Sequence, residues 1–264
     1  MKRPCFTLIE LLVVIAVIAL LVAISIPVLQ SSKQRAKAVL CSSNIKQLTV
    51  GMFMYENENQ TFPYGFYSTF NPPPGGYLGG SAYDRIGWWW FNFVEGFYEK
   101  SNRKTTVVSC PSKQLNNPKL KNNILCGNYG VNLSICRSTD DIQRNREEFV
   151  GTPLRGSDMP HPGQTLLIVD SGYGVISWWH VTDVPPVTLG SAIEDTAYIP
   201  GLDINREKTL WAGQEEDAVD GRHPNKTVNV GFADGHSGRT KANDFFVEKT
   251  GDAYTNRSPL WSPK

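Results

Sequence analysis

The sequence predicts an α+β protein in which one long N-terminal helix packs on a small antiparallel β-sheet head with long loops. Three patterns support this fold class. The segment 11–29 is almost wholly apolar, and the segment 30–59 repeats apolar residues with the period of a helix. The segment 227–240 alternates apolar with polar or small residues and then turns at an Asp-Gly pair. The 264 residues are enough for one or two domains with a sizeable core.

The first element is an apolar run close to the N-terminus. From Phe6 to Leu29 the only charged side chain is Glu10. The nineteen residues Leu11–Leu29 would span about 28 Å as a helix, which matches the hydrocarbon core of a bilayer. A carboxylate at the centre of a bilayer costs about 2.5–3.5 kcal/mol, and less near its edge. Glu10 therefore needs a partner that offsets this cost.

The residues around the run predict its orientation. Lys2 and Arg3 precede it, which favours a cytoplasmic N-terminus and an exported C-terminal part. An ordinary cleaved secretory signal is an alternative, but its apolar region is usually about 7–15 residues and ends at a small-residue site. Here the run is longer, and "AIS" at 23–25, followed by Pro27, is a poor site.

The helix is predicted to continue beyond Pro27 as an amphipathic segment. Five apolar residues at spacings of four, three, four and three form one stripe, as expected for a helix that docks on a globular head. The polar "NENQTFPYG" at 57–65 then ends it. The stripe consists of Cys41, Ile45, Leu48, Met52 and Tyr55.

The head is rich in loops. "NPPPGGYLGG" at 71–80 is incompatible with a helix or a central strand, whereas "TLLIVDSG" at 165–172 predicts a buried strand that ends at Asp170. The three consecutive tryptophans at 88–90 favour packing in the core. An aromatic platform for glycans or proteins, shared with the tryptophans at 178–179, is the alternative.

A hairpin is predicted near the C-terminus. Val228, Val230 and Phe232 alternate with Asn229, Gly231 and Ala233, which indicates a strand with one buried face. Asp234 and Gly235 supply a tight turn with positive φ at its centre, and the return strand is expected to begin at His236.

The net charge bears on nucleic-acid binding, and the cysteine content bears on disulfides and metal sites. The net charge of +1 gives no strongly basic face, so no nucleic-acid partner is expected. Apart from Cys5, four cysteines allow three disulfide pairings, and none has the C-x-x-C spacing of a zinc site. For an exported chain disulfides are favoured over thiols. The preferred pairing joins Cys41 to Cys110, which would clamp the helix to the head, and Cys126 to Cys136.

The N-terminal stretch resembles type IV prepilins and the pseudopilins of type II secretion. In that family a short basic leader precedes a Phe-Thr-Leu-Ile-Glu motif and an apolar helix with a proline, here at Pro27, where a helix kink is expected. The resemblance implies that prepilin peptidase cleaves between Cys5 and Phe6 and that the new amine is methylated. It also implies that the amine of a neighbouring subunit balances Glu10 during assembly. The family prefers Gly where Cys5 stands, and an uncut single-span anchor is the alternative.

The C-terminal hairpin resembles the H-X9-DG region of many bacterial prepilin-type proteins. The match covers His223, Asp234, Gly235 and His236, although ten residues separate His223 from Asp234 where the family name states nine. An extra residue in the "PNKT" turn would absorb this difference. The segments 41–55 and 156–172 also look like that family.

The two histidines and the aspartate of this region also raise the question of catalysis or metal binding. A His/Asp/His cluster suits a metal ion, and a carboxylate beside an imidazole suits acid–base chemistry. However, no nucleophile or zinc-protease motif is present, and Asp-Gly is already explained by the turn. We therefore expect no enzyme activity, no cofactor and no bound metal.

These observations divide the chain into a leader (1–5), a transmembrane or filament-core helix segment (6–29), its amphipathic continuation (30–59) and a periplasmic head (60–264). The resemblance implies a single-pass protein of the bacterial inner membrane that assembles with other pilin or pseudopilin subunits. An anchored glycan- or protein-binding module, or an anchored hydrolase, is the alternative.

Overall fold

The computed structural model of the chain describes residues 7–71, 86–98, 107–140, 147–182, 197–251, 253–257 and 260–261. A long N-terminal helix is followed by a small β-sheet region, which confirms the α+β class. The predicted loop at 71–80 lies outside the described residues apart from Asn71.

Helix α1 spans Leu8–Asn59 and contains 52 residues. It begins after Thr7, whose side chain caps it, and it ends at Gln60, which adopts a left-handed conformation with φ of 62°. Pro27 lies inside the helix, which continues on both sides of it. The membrane-like segment and the amphipathic segment of the sequence therefore form one continuous element.

The two halves of α1 have different surroundings. The apolar side chains from Leu8 to Leu29 are exposed, and within the described part of the chain α1 is the one helix long and apolar enough to cross a membrane. The second half is buried along one face, where the predicted stripe lies against the head and Tyr55 packs at its edge. The buried residues of α1 are Ala38, Cys41, Ile45, Leu48, Thr49, Gly51 and Met52.

The head is built around a five-stranded sheet with the order β5-β3-β4-β6-β7. Neighbouring strands are antiparallel except β3 and β5, which are parallel. The sheet is therefore mixed, not purely antiparallel as expected, because the chain returns after β4 to place β5 beside β3. Two further ribbons pair β1 with β2 and β8 with β9. The strands are β1 (Phe66–Ser68), β2 (Gly87–Trp89), β3 (Tyr129–Asn132), β4 (Leu166–Asp170), β5 (Val175–Ile176), β6 (Thr227–Phe232), β7 (Ser237–Lys241), β8 (Val247–Thr250) and β9 (Ala253–Asn256).

Short helices and aromatic side chains complete the head. Trp89 and Trp90 are buried in the core, and the indole N–H of Trp90 donates to the carbonyl of Gly174 at 2.8 Å. Trp88 is half-buried and donates to the carbonyl of Asn71 at 2.8 Å. The short helices are α2 (Trp90–Val94), α3 (Pro118–Asn122), α4 (Trp178–Thr182) and α5 (Ala242–Phe246).

Strand β6 is buried on both faces, whereas the sequence predicted one buried face. Asn229 and Gly231 are buried together with their apolar neighbours. The reason is that α1 covers the second face at very short range. A Cβ added to Gly231 would lie 2.0 Å from the hydroxyl oxygen of Thr49. Only glycine permits this approach, so position 231 sets the distance between helix and sheet.

Gly231→Ala should therefore destabilise the head by about 1–3 kcal/mol, because Thr49 and α1 must move away from β6. The measurement is urea unfolding of the full chain in detergent. Gly238→Ala, on the adjacent strand β7, is the matched control, since its added methyl group has nothing within 4 Å. Equal stability of the two variants would contradict the proposed role of Gly231.

Candidate functional site

The N-terminus of α1 carries a closed capping box. The Glu10 carboxylate accepts hydrogen bonds from the backbone N–H and the hydroxyl of Thr7, both at 2.8 Å. In return, the Thr7 hydroxyl oxygen accepts the backbone N–H of Glu10 at 3.3 Å. Part of the cost of placing Glu10 in an apolar segment is thus offset inside its own chain. The sequence reasoning missed this role, although Thr-x-x-Glu before an apolar run is its signal.

The other residues named for the N-terminal region fall in two places. Cys5 and Phe6, at the expected cleavage site, lie outside the described residues. Pro27 lies within the continuous α1. Ser25, two residues before it, donates its hydroxyl hydrogen to the carbonyl of Leu21 at 2.7 Å. Cleavage, methylation and a kink at Pro27 stay predictions.

The C-terminal signature is divided between the two ends of β6. His223 precedes the strand and is buried, whereas Asp234 and His236 follow it and are exposed. Six residues of strand separate them by about 20 Å. The Asp234 carboxylate accepts a hydrogen bond from the backbone N–H of His236 at 3.1 Å. The same carboxylate oxygen lies 2.6 Å from the ring Nδ1 of His236. The three residues therefore do not form one cluster.

The Asp-Gly turn has the predicted conformation. Gly235 has a φ of 92°, and its N–H donates to the carbonyl of Phe232 at 3.0 Å. The return strand begins at Ser237, one residue later than expected. Upstream of β6, Asn225 and Lys226 are both left-handed, with φ of 60° and 51°.

Two cysteines meet where α1 docks on the head. The Sγ atoms of Cys41, on α1, and Cys110, in the irregular segment before α3, are 2.9 Å apart. The hydroxyl of Ser112 lies 3.6 Å from the Cys41 sulfur. Cys41 and the three cysteines of the head are all buried thiols in the structure. The sulfurs of Cys41 and Cys110, which were predicted to form a disulfide, are thus in contact. This disulfide and the one between Cys126 and Cys136 stay predictions.

His223 adjoins the two thiols. One of its ring nitrogens lies within 4.8 Å of both sulfurs. Its Nε2 is 3.1 Å from the Asp170 carboxylate, which also accepts the backbone N–H of Asn229 at 2.6 Å and its side-chain amide at 3.0 Å. The side chains of His223 and Asp170 are completely buried. We call Cys41, Cys110, Asp170, His223 and Asn229 the junction cluster.

A buried ion pair borders the junction cluster. Arg222 contacts the Asp217 carboxylate, and both side chains are completely buried. The Arg222 guanidinium also donates to the carbonyls of Gly127, Asn128 and Ser171. Asp217 is held further by the hydroxyl of Tyr198 and the backbone N–H of Gln114. This pair joins the end of β4 to the segment before β6, and with its carboxylate satisfied it needs no metal ion.

No protein-family model matches the chain, and neither a curated protein nor a solved structure is significantly similar to it. Function is therefore inferred from the residues and the geometry described above.

The charges of the junction cluster depend on one another. Burial lowers the pKa of His223, but the Asp170 carboxylate outweighs it and raises that pKa to about 9. The contact with Cys110 lowers the pKa of the Cys41 thiol to about 5, and His223 acts in the same direction. Burial raises the pKa of Cys110 well above its usual value. The cluster therefore favours a thiolate on Cys41 beside an imidazolium on His223.

Sequence reasoning found only part of this cluster. It named both cysteines and His223, and it placed Asp170 at the end of a buried strand without assigning it a role. Asn229 was placed on the exposed face of β6. A carboxylate that ends a wholly apolar strand, as Asp170 does, was the available signal, because such a group needs a buried partner.

Asp170→Asn should lower the pKa of His223 from about 9, because the Asp170 carboxylate opposes the effect of burial most strongly and only the weaker contribution of Cys41 then remains. On its own, the charge on His223 stabilises the folded protein fully below pH 6.5, and this contribution disappears as the pH rises through about 9. The measurement is an NMR titration of the imidazoles in the full chain. The parent protein, titrated in parallel, is the reference. An unchanged His223 curve would contradict the assignment.

Proposed function

We propose that the chain is a structural pilin-like subunit, a pseudopilin or minor pilin of a type II secretion or type IV pilus assembly. It is anchored in the bacterial inner membrane by the first half of α1 and carries its head in the periplasm. Prepilin peptidase removes residues 1–5 and the new N-terminus at Phe6 is methylated. Other subunits then bury the first half of α1 in the core of the filament.

The contrast between the halves of α1 supports this proposal. Apart from Glu10 and Ser25, the first half exposes an apolar surface, whereas the second half is docked on the head. An apolar surface of this size is unfavourable in contact with water, so lipid or other protein must cover it. A bilayer covers it before assembly, and neighbouring helices cover it afterwards.

Glu10 is the observation that carries the proposal. It is the only charged side chain between Phe6 and Leu29, near the start of the helix. A single-span anchor gains nothing from a carboxylate at this position and loses stability in lipid. In a filament, by contrast, the Glu10 carboxylate gains an ion pair with the N-terminal amine of the neighbouring subunit. This pair fixes the axial position of one helix relative to the next.

The alternatives receive less support from the described residues. Trp89 and Trp90 are in the core, which leaves only the half-buried Trp88, Trp178 and Trp179 for an aromatic platform. His223 is buried at one end of β6, far from Asp234 and His236 at the other end, so the three residues do not assemble the His/Asp/His cluster that an anchored hydrolase would use. The capping box gives Glu10 a local role as well, and an experiment has to separate that role from assembly.

Processing is tested by mass spectrometry of the intact protein isolated from its native host. We expect a mature chain that begins at Phe6 and carries one N-terminal methyl group. Retention of Met1–Cys5 in most molecules would contradict the proposal and favour the uncut anchor.

Glu10→Ala and Glu10→Gln should both insert in the membrane at least as well as the parent but fail in assembly. The reason is that the neighbouring amine loses its counter-charge, and truncating one member of a buried pair costs about 3–5 kcal/mol. Assembly is measured as sheared filaments or as secretion, normalised to the amount of membrane protein.

Thr7→Ala separates the two roles of Glu10. It breaks the capping box, at a cost of about 0.5–2 kcal/mol, but keeps the carboxylate. We expect Thr7→Ala to assemble nearly as well as the parent, and Glu58→Ala, at the exposed C-terminal end of α1, to match the parent. Assembly by Glu10→Ala at the level of the parent would rule out the pilin mechanism for this chain.

A further inference from the structure

We propose that Cys41, Cys110 and His223, with both sulfurs reduced, form a binding site for one Zn²⁺ ion. This site goes beyond the proposed structural function. The three side chains come from α1, from the segment before α3 and from the segment before β6. All three are buried, and their ligand atoms lie within 4.8 Å of one another. Folding thus brings two sulfur ligands and one nitrogen ligand to a single point.

The surroundings of His223 are those of a metal ligand. Its Nε2 is directed to the Asp170 carboxylate at 3.1 Å, while its Nδ1 is buried without a hydrogen-bond partner. A histidine that binds a metal through one nitrogen almost always gives its other nitrogen to a carboxylate or carbonyl, which fixes the ring. Asn229 holds that carboxylate in place from β6 with two hydrogen bonds. A bound cation would satisfy the unpartnered nitrogen.

The ligand set selects the ion. Two thiolates and one imidazole match the tetrahedral Zn²⁺ sites of proteins and exclude the hard cations Mg²⁺ and Ca²⁺, which require oxygen ligands. Two thiolates and one divalent cation carry no net charge, and the protons displaced from the thiols and from the Nδ1 of His223 pass to solvent. The Asp170 carboxylate keeps its hydrogen bonds from Asn229 and from the Nε2–H of the neutral His223.

A pocket lies beside the proposed ligands. Ser112 and His223 both line a cavity of about 410 Å³ at the edge of the junction cluster. The Ser112 hydroxyl, 3.6 Å from the Cys41 sulfur, or a water molecule in the pocket supplies the fourth ligand.

Zinc binding requires the two sulfurs to move apart. Two thiolates on a tetrahedral ion, with metal–sulfur bonds of about 2.3 Å, lie about 3.8 Å apart, whereas the sulfurs here are 2.9 Å apart. Cys110 has to move its sulfur by about 1 Å. It lies in an irregular segment, not in a helix or strand, so a rotation about its side-chain bond provides this movement.

Zinc binding and the predicted Cys41–Cys110 disulfide exclude each other. Both use the same two sulfurs, and oxidation removes the two thiolates that an ion needs. Either state links α1 to the head at the same position. The test must therefore use reduced protein and verify its thiol content.

The test is a Co²⁺ titration of the reduced full chain in detergent without oxygen, followed by displacement with Zn²⁺. We expect one equivalent of Co²⁺, a thiolate-to-cobalt charge-transfer band, and loss of that band when Zn²⁺ is added. Excess Mg²⁺ or Ca²⁺ should leave the band unchanged. Cys41→Ser and Cys110→Ser should each weaken binding more than 100-fold, and Asp170→Asn about 10- to 100-fold as a positioning residue.

Cys136→Ser is the matched control, because Cys136 is equally buried but lies outside the group of ligand atoms. It should keep the stoichiometry and the band. X-ray absorption of the zinc-loaded parent provides a second measurement that depends on no variant, and it should find two sulfur ligands per ion. Absence of Co²⁺ binding, a band that persists in Cys110→Ser, or a ligand shell without two sulfurs would each overturn the proposal.

Discussion

The close approach of α1 to β6 is the contact on which the rest of the head depends. At Gly231 the helix comes so near that a single methyl group would clash with Thr49. This approach buries the second face of β6, and it brings Cys41 to the segment before that strand. Arg239 on β7 adds a hydrogen bond to the carbonyl of Ala38, one turn before Cys41 on the helix. The sheet and the helix therefore share one interior, and neither would be covered without the other.

The junction cluster shows how polar groups are tolerated in that interior. A buried carboxylate such as Asp170 costs several kcal/mol unless charge and hydrogen bonds compensate it. Here the imidazole of His223 and two N–H groups of Asn229 all contact its Oδ2, so partners from β6 and the segment before it offset part of the cost. Its Oδ1 is buried without a hydrogen-bond partner among the described residues. Replacing any one partner by an apolar group would leave another unsatisfied. Such mutual dependence favours a single arrangement of β4 and β6, because a register shift would separate the partners.

Local patterns in the sequence predicted the helices and strands of this fold better than they predicted which of these elements contact one another. The stripe from Cys41 to Tyr55 and the strand ending at Asp170 follow from periodicity, and both are present. The parallel pairing of β3 with β5 did not follow, because it depends on where the chain returns after β4. The burial of Asn229 was also missed: alternation in a strand reports one face, whereas the helix that covers the other lies 180 residues earlier in sequence. The capping role of Thr7 was missed for another reason: the charge on Glu10 suggested a partner in another subunit, whereas Glu10 also bonds to Thr7 three residues earlier.

The contact between α1 and β6 explains the distance in sequence between His223 and the Asp-Gly turn. Cys41 lies beside His223, Thr49 lies against Gly231, and Phe53 lies against Gly235, where an added Cβ would be 3.6 Å from its ring. The twelve residues that follow Cys41, up to Phe53, cover about 18 Å of helix. The six residues of β6, which lie between His223 and the Asp-Gly turn, cover about 20 Å of strand. The helix and β6 thus run side by side, and the histidine and the Asp-Gly turn mark the two ends of their contact. A residue added inside β6 would break this match, whereas one added before it would not. The two left-handed residues Asn225 and Lys226 lie in that tolerant segment, directly before the strand.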